Sequence, residues 1–174
     1  MPGHVILSHG LHSSPAATKV SAMAQVAERM GWSHERPDYS AIDGRGQVGD
    51  IAHRLGLLVE RARAARQAAD QPLVLAGSSM GAFISGLASL EIACAGLYLI
   101  APPVVIDGFG STLQAATVPT AILHGWNDEV CPVGDVVRWA QTRRCQLELV
   151  DDGHRLENHV QHCADAFGRF LAAL

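Results

Sequence analysis

The sequence contains neither a long apolar run nor a basic leader segment. No stretch approaches the roughly 20 consecutive apolar residues that a membrane-spanning helix needs. The first residues lack the basic region of a secretory signal, and the apolar run from Val5 to Leu7 is too short for one. We therefore expect a cytoplasmic protein that does not bind membranes.

Several metal and nucleotide motifs are also absent. The four cysteines form no C-x-x-C pair, so we expect reduced thiols that pack as small apolar side chains. His159 and His162 could share one face of a predicted helix, but no H-E-x-x-H pattern accompanies them, and we expect no metal. No G-x-G-x-x-G follows the first predicted strand, which argues against a Rossmann-type nucleotide-binding protein.

Charged residues are few, at 17% of the chain, and the net charge is -4. This balance gives no indication of a nucleic-acid-binding surface. Most of one basic cluster falls in a single predicted helix, where we interpret it as a solvent-exposed face; its members are Arg54, Arg61, Arg63 and Arg66. The hydrophobic content of 48% and the length of 174 residues suit one domain with one core, residues 1–174.

Short apolar strands alternate with longer amphipathic helices. We predict strands at 5–7, 32–36, 73–76, 97–100, 120–123 and 146–150. We predict helices from a turn at 13–15 to Gly31, from Val48 to at least Ala62, from the turn at 77–81 to about Ala93, from 134 to 143 and from Leu156 to Leu174. Continuous apolar strands indicate burial on both faces, and the alternation indicates β-α-β crossovers. The predicted fold class is α/β, a three-layer sandwich of about six parallel strands with helices on both faces.

Reactive residue types follow three of these strands, at the edge where open parallel sheets form their sites. The first segment is Gly77-Ser78-Ser79-Met80-Gly81, a G-x-S-x-G sequence between a strand and an apolar helix. Small residues two positions before and after Ser79 permit a strained strand-to-helix turn that exposes its Oγ. We therefore predict that Ser79 is a nucleophile.

The acid and the base are predicted from the two later segments. Asp128 lies after the fifth predicted strand and would accept the imidazole Nδ1 proton of a catalytic histidine, with Glu129 and Asp107 as alternative acids. His154 lies between the last strand and the last helix, from where it can reach Ser79 as general base. For His124, as for His9, we expect a structural role in shaping its loop.

Acyl transfer also needs donors for a developing oxyanion. We expect one donor to be the backbone N–H of Met80, which follows the nucleophile, and the other to be that of Leu11, after the first strand. Gly10 would permit the close approach of backbone to substrate. A turn without this role is the alternative for the Leu11 segment.

These segments together resemble the α/β-hydrolase superfamily over nearly the whole chain. The residues that carry the resemblance are S-H-G-L-H-S-S-P, G-S-S-M-G, H-G-W-N-D-E-V-C-P and D-D-G-H. More narrowly they resemble small bacterial esterases and thioesterases with only the core sheet, whose first loop is also followed by a lysine, here Lys19. The resemblance implies hydrolysis of a carboxylic ester or thioester without metal or organic cofactor, by Ser79, Asp128 and His154.

The short segment 104–118 leaves no room for the helical lid domain of many relatives. We therefore expect an open pocket, with Pro102, Pro103 and Trp126 near its rim and His12 among its substrate-binding residues. The expected partner is a small-molecule ester or thioester. The sequence leaves peptidase, amidase and C–C hydrolase chemistry open, because one triad serves several acyl reactions. A catalytically silent, hydrolase-like binding module is the alternative from another class.

Overall fold

Six strands and six helices form the part of the chain that the computed structural model describes, residues 2–43 and 50–174. The strands are β1 (His4–Ser8), β2 (Ser33–Glu35), β3 (Leu73–Ser78), β4 (Gly96–Ile100), β5 (Thr120–Gly125) and β6 (Gln146–Val150). The helices are α1 (Thr18–Arg29), α2 (Ser40–Asp43), α3 (Asp50–Ala68), α4 (Met80–Ala88), α5 (Val133–Arg143) and α6 (Val160–Ala172), with a 3₁₀ turn at Glu157–His159.

The strands form one parallel sheet in the order β2-β1-β3-β4-β5-β6. Successive side chains of a strand point to opposite faces, so each strand feeds two cores. Val5 and Leu7 join the core under α1 and α6, whereas Ile6 joins the core under α3, α4 and α5. The predicted α/β sandwich with helices on both faces is confirmed. None of the described helices is both long and apolar enough to cross a membrane.

Two helix boundaries differ from the prediction for local reasons. Helix α4 ends at Ala88 instead of about Ala93, because Ser89 Oγ donates to Gly86 O and accepts from the Ala116 N–H, which favours a turn. Helix α6 begins at Val160 instead of Leu156, because Leu156 lies in the left-handed region at φ 52°.

Other differences lie at the start of helices. Helix α1 begins at Thr18, after a turn in which the Ala17 N–H donates to Ser14 O. The short helix α2 and the 3₁₀ turn were not predicted, since each is too short to show a periodic pattern. Val48, which we placed on the apolar stripe of the second long helix, lies outside the described residues.

Two glycines allow α4 to pack against the end of β3 and β1. A Cβ atom on Gly81 would lie 2.0 Å from the carbonyl oxygen of Ser8, and one on Gly77 would lie 2.3 Å from the carbonyl carbon of Gly81. Both distances are far inside van der Waals contact, so neither position has room for a side chain. The glycines of the G-x-S-x-G sequence thus fix where the intervening serine lies.

We expect Gly81→Ala to destabilise the protein by about 2 kcal/mol or more, because backbone must move to admit the methyl group. Gly56→Ala is the matched control, since a Cβ there meets nothing within 4 Å. That change in the interior of α3 should stabilise the protein by about 0.5–1 kcal/mol. Urea unfolding of both variants measures the difference; equal stabilities would contradict the packing account.

Candidate active site

Ser79 occupies a strained turn between β3 and α4. Its backbone has φ 53° and ψ -120°, a conformation that non-glycine residues rarely adopt. Hydrogen bonds hold the turn: the Ser79 N–H donates to Ile100 O at 2.8 Å, and the Ala82 N–H donates to Ser79 O at 2.9 Å. The surrounding sheet and helix therefore impose the conformation that brings the hydroxyl into the open cavity described below.

His154 connects this serine to a carboxylate. Its Nε2 lies 3.0 Å from Ser79 Oγ, and its Nδ1 lies 2.8 Å from Asp128 Oδ2. The carboxylate can only accept, so Nδ1–H donates to Asp128 and Nε2 is left to accept from the serine hydroxyl. The structure thus brings together the three residues that we predicted from separate strand ends.

Asp128 is held in its ionised form by three donors. Burial opposes ionisation, but hydrogen bonds from His154 and from the backbone N–H groups of Cys131 and Val130 outweigh it and lower the pKa of Asp128. The two backbone bonds to Oδ1 measure 2.7 Å from Cys131 and 2.9 Å from Val130. One oxygen is thereby fixed to the loop while the other faces His154.

The two alternative acids lie elsewhere. Glu129 Oε2 accepts from the backbone N–H of His154 at 3.3 Å, not from its imidazole ring. Asp107 is exposed and does not line the cavity near Ser79. Of the three carboxylates, only that of Asp128 is placed to orient the His154 ring.

Two further histidines support the loops, as we expected of them. His124 is fully buried, its Nε2 donates to Cys131 O at 2.9 Å, and it lies 3.5 Å from Asp128 Oδ2. His9 is fully buried too, with Nδ1 2.8 Å from Gly10 O and Nε2 accepting from the Tyr39 N–H at 3.0 Å. Burial is the main cause of the lowered pKa of both rings, so both are neutral near pH 7.

We predicted that the backbone N–H groups of Leu11 and Met80 are the oxyanion donors. Both residues line the same cavity as Ser79, and neither amide donates to another atom of residues 2–43 and 50–174. Gly10 brings the first loop against the turn, because a Cβ there would lie 3.5 Å from Cβ of Ser79. The next amide, of His12, is already bonded to Asp43 Oδ2 at 3.2 Å.

The cavity at Ser79 has a volume of about 890 Å³ and is open to solvent. The segment between β4 and β5, residues 101–119, contains an isolated bridge of Val105 with Thr112 and no helix. Apolar residues of the lining include Leu11, Val20, Met80, Val105, Ile106, Val130 and Val160. Polar residues include His12, Ser13, Lys19, Arg155 and Glu157.

Two of the expected rim residues lie elsewhere. His12 and Pro103 line the cavity, but Pro102 and Trp126 do not, and that part of the prediction is wrong. Pro102 is buried. The Trp126 N–H donates to Val150 O at the end of edge strand β6, and its side chain is 56% exposed outside the cavity.

One set of described residues could place three ligand atoms around a metal ion. The donor atoms of Asp128, Cys131 and His154 lie within 4.8 Å of one another. Thiolate is the metal-binding form of cysteine, but burial, and then the charge of Asp128, raises the pKa of Cys131 to about 12. The existing bond between His154 and Asp128 uses the same atoms, so the geometry fits a hydrogen-bonded set better than a metal site.

The other histidine pair does not converge on one ligand. His159 Nδ1 lies 2.9 Å from Asp152 Oδ2, and His162 Nε2 contacts Glu148 Oε1. Each ring thus has its own carboxylate partner. Asp152 also accepts from the N–H groups of Gly153 and Asn158, and so shapes the loop that carries His154.

Two basic residues near the site make structural contacts that we did not predict from the sequence. Arg54, expected on a solvent-exposed face, is 1% exposed, and its guanidinium donates to His9 O at 2.7 Å. Its spacing gave a signal: it lies three residues after Ile51 and four before Leu58, on the apolar stripe of α3. Lys19 Nζ donates to the carbonyl of Arg155 and ties α1 to the His154 loop.

A parallel sheet with a strained serine turn at its carboxyl edge defines an α/β protein of the hydrolase class. Residues 2–165 match the family described as alpha/beta hydrolase domain. A protein assigned to the α/β hydrolase superfamily, from Xanthomonas campestris pv. campestris, is 48% identical, with 99% of each chain covered and a TM-score of 0.94. The chain therefore belongs to the alpha/beta hydrolase family.

More distant structures share the fold. An α/β serine hydrolase without a lid, also from Xanthomonas campestris, is 23% identical over 99% of this chain and 82% of that one, with a TM-score of 0.76. Est1E from Butyrivibrio proteoclasticus is 17% identical over 99% of this chain and 88% of that one, with a TM-score of 0.77. A search of curated proteins found no match.

The lowered pKa of Asp128 predicts how its contribution to the free energy of unfolding changes with pH. Its contribution is full above about pH 5, where the carboxylate is ionised in both states. Below the ordinary aspartate pKa of 3.8 the unfolded chain takes up a proton first, so the contribution is lost as pH falls through the lower folded-state value. The stability gap between wild type and Asp128→Asn should therefore shrink from about pH 6 to about pH 3.

Urea unfolding at the two pH values measures this gap. Asp107→Asn is the control, since Asp107 is an exposed carboxylate away from the cavity, and its gap should stay near zero. A gap for Asp128→Asn that is constant or widens on acidification would contradict the assigned hydrogen bonds.

Proposed function

We propose that this alpha/beta hydrolase is a serine hydrolase that cleaves a carboxylic ester or thioester of a small acyl compound through an acyl-enzyme intermediate. The observation that carries the proposal is the continuous hydrogen-bonded series from Ser79 Oγ through the His154 ring to Asp128 Oδ2, at 3.0 Å and 2.8 Å. Each atom in this series has the donor or acceptor character that nucleophilic catalysis needs.

Acylation uses each of these groups in turn. Ser79 Oγ attacks the carbonyl carbon while His154 Nε2 takes its proton as general base. Asp128 holds the ring in the required tautomer and stabilises the imidazolium that forms. The N–H groups of Leu11 and Met80 stabilise the negative charge on the carbonyl oxygen, and one such donor is worth about 3 kcal/mol of transition-state stabilisation.

The proton held by His154 first completes acylation and a second one then completes deacylation. In acylation, His154 gives the proton taken from Ser79 to the leaving alcohol or thiol, and the acyl group remains on Ser79. In deacylation, a water molecule attacks the acyl carbon while His154 takes its proton, and His154 returns that proton to Ser79 Oγ as the second tetrahedral intermediate collapses to the acid and the free serine.

The acyl group is proposed to be apolar. Five of the apolar residues that line the cavity are Met80, Val105, Ile106, Val130 and Val160. Such a lining favours hydrocarbon by about 0.8 kcal/mol for each methylene group that it removes from water. Because the cavity is open, part of a longer chain would stay in solvent, so the preference per methylene should be smaller than this limit.

A fluorophosphonate should label wild type at Ser79, and Ser79→Ala should neither be labelled nor hydrolyse p-nitrophenyl butanoate. Removal of the nucleophile should lower kcat by about 10⁴-fold or more. Ser111→Ala, at an exposed serine away from the cavity, should keep wild-type labelling and turnover. Peptide mass spectrometry locates the label.

Full activity in Ser79→Ala would overturn the proposal. Saturable binding of esters by wild type without turnover or labelling would also overturn it, and would favour a hydrolase-like binding module.

A second prediction concerns acyl length. Ile106→Asn should lower kcat/KM for p-nitrophenyl hexanoate more than for p-nitrophenyl acetate, by about threefold to tenfold in the ratio, because it makes the apolar lining polar. Leu90→Asn is the control, since Leu90 is 54% exposed and lies outside the cavity. An unchanged hexanoate-to-acetate ratio in Ile106→Asn would contradict an apolar acyl site.

A further inference from the structure

A buried polar cluster lies behind the loop that carries Leu11. It consists of His9, Tyr39, Asp43 and Arg54, none more than 3% exposed. None of the four lines the cavity at Ser79, so the cluster does not reach a substrate there. The cluster contacts the backbone of residues 9–12. This loop includes Leu11, which lines the cavity and whose amide donates to no atom of the described residues.

Arg54 contacts one end of this loop. Its Nη2 donates to the carbonyl oxygen of His9 at 2.7 Å, and its Nη1 lies 3.4 Å from Asp43 Oδ1. The guanidinium carbon lies 4.4 Å from the centre of the Tyr39 ring. A buried guanidinium is stable only where such partners replace its water, so these contacts fix Arg54 and, with it, the His9 carbonyl.

Three further hydrogen bonds fix the rest of the loop. Asp43 Oδ2 accepts from the His12 N–H at 3.2 Å. The Tyr39 N–H donates to His9 Nε2, so the proton of this neutral ring is on Nδ1, which donates to Gly10 O at 2.8 Å. The carbonyl oxygens of His9 and Gly10 and the amide of His12 are therefore all bonded on the buried side.

These bonds determine the direction of the Leu11 amide. The C=O of Gly10 and the N–H of Leu11 belong to one planar trans peptide, in which the two groups point in opposite directions. Because His9 holds the Gly10 oxygen toward the interior, the Leu11 N–H is turned away from it, toward the cavity that Gly10 and Leu11 both line.

We propose that Arg54, Asp43 and His9 are positioning residues that orient the Leu11 N–H for an oxyanion at Ser79. The inference rests on the proposed function, since an oxyanion forms only if Ser79 attacks a carbonyl. The inference adds to the proposed function a buried set of side chains that fixes the Leu11 N–H. Without these contacts the peptide of Leu11 would be free to rotate.

Arg54→Met tests the proposal, because methionine keeps much of the length and removes the donors. Complete removal of an oxyanion donor costs about 10²–10³ in kcat, so loss of its support should lower kcat by about 10- to 100-fold, with KM changed by less than about threefold. Inhibition by an alkyl boronic acid, which forms a tetrahedral adduct on serine, should weaken by a similar factor. Arg54→Lys, which keeps the positive charge and one donor nitrogen, should restore part of both.

Arg143→Met is the matched control. Arg143 also donates to a loop carbonyl, that of Ala116, and stacks 4.9 Å from the Trp139 ring, but it does not line the cavity or contact residues 9–12. Its loss should lower the melting temperature while kcat and boronate affinity stay within about twofold. If Arg54→Met lowers the melting temperature but likewise keeps kcat and boronate affinity, the proposal is overturned.

If Arg54→Met does not fold, a measurement on the wild-type protein tests the proposal instead. In an amide NMR titration with the boronic acid, the Leu11 and Met80 N–H signals should shift and that of His12 should not, because Asp43 already holds it. A shift of His12 with no change at Leu11 would overturn the proposal. Absence of Ser79 labelling and turnover in wild type would instead refute the proposed function, so the two failures are distinguishable.

Discussion

The site depends on the hydrogen bonds that join Ser79, His154 and Asp128. They connect the ends of three strands, β3, β6 and β5, that are far apart in sequence but share one edge of a parallel sheet. The Ser79 turn can supply its hydroxyl only because the backbone accepts a strained conformation, φ 53° and ψ -120°, which Gly77 and Gly81 make sterically possible. The packing of α4 against β1 and β3 therefore sustains the geometry of the chemical groups.

Buried polar groups hold the surrounding loops. His124 lies under the Asp128 loop and His9 under the Leu11 loop, and burial keeps both rings neutral, with lowered pKa values. Arg54 and Asp43 lie buried next to each other, and each also bonds to the backbone of the loop. Carboxylate Asp152 similarly organises the loop of His154. The site is thus supported by satisfied backbone groups, in keeping with the cost of leaving such groups unpaired when buried.

Much of the fold and of the candidate site could be predicted from local pattern. Continuous apolar strands give the parallel sheet, and the rule that sites lie at the carboxyl ends of strands brings Ser79, Asp128 and His154 together. The buried polar residues that support the loops could not be predicted in this way, because their partners come from distant parts of the chain. Arg54 is an arginine like its exposed neighbours Arg61, Arg63 and Arg66, and differs from them only in its position on the apolar stripe of α3. Trp126 is the opposite case, because we predicted it at the cavity and it lies outside. The sequence shows that an aromatic residue is close to the site, but not toward which side of the loop the backbone hydrogen bonds direct its side chain.

The most direct test of the hydrogen-bonded series compares two adjacent carboxylates. Asp128 bonds the imidazole of His154, whereas Glu129 bonds the backbone N–H of the same residue. We expect Asp128→Asn to lower kcat/KM for an activated ester by about 10⁴-fold, because the wrong tautomer of His154 is then favoured, and Glu129→Gln to lower it by less than about tenfold. A large loss in Glu129→Gln with near-normal activity in Asp128→Asn would contradict the assignment of the acid and, with it, the proposed catalytic series.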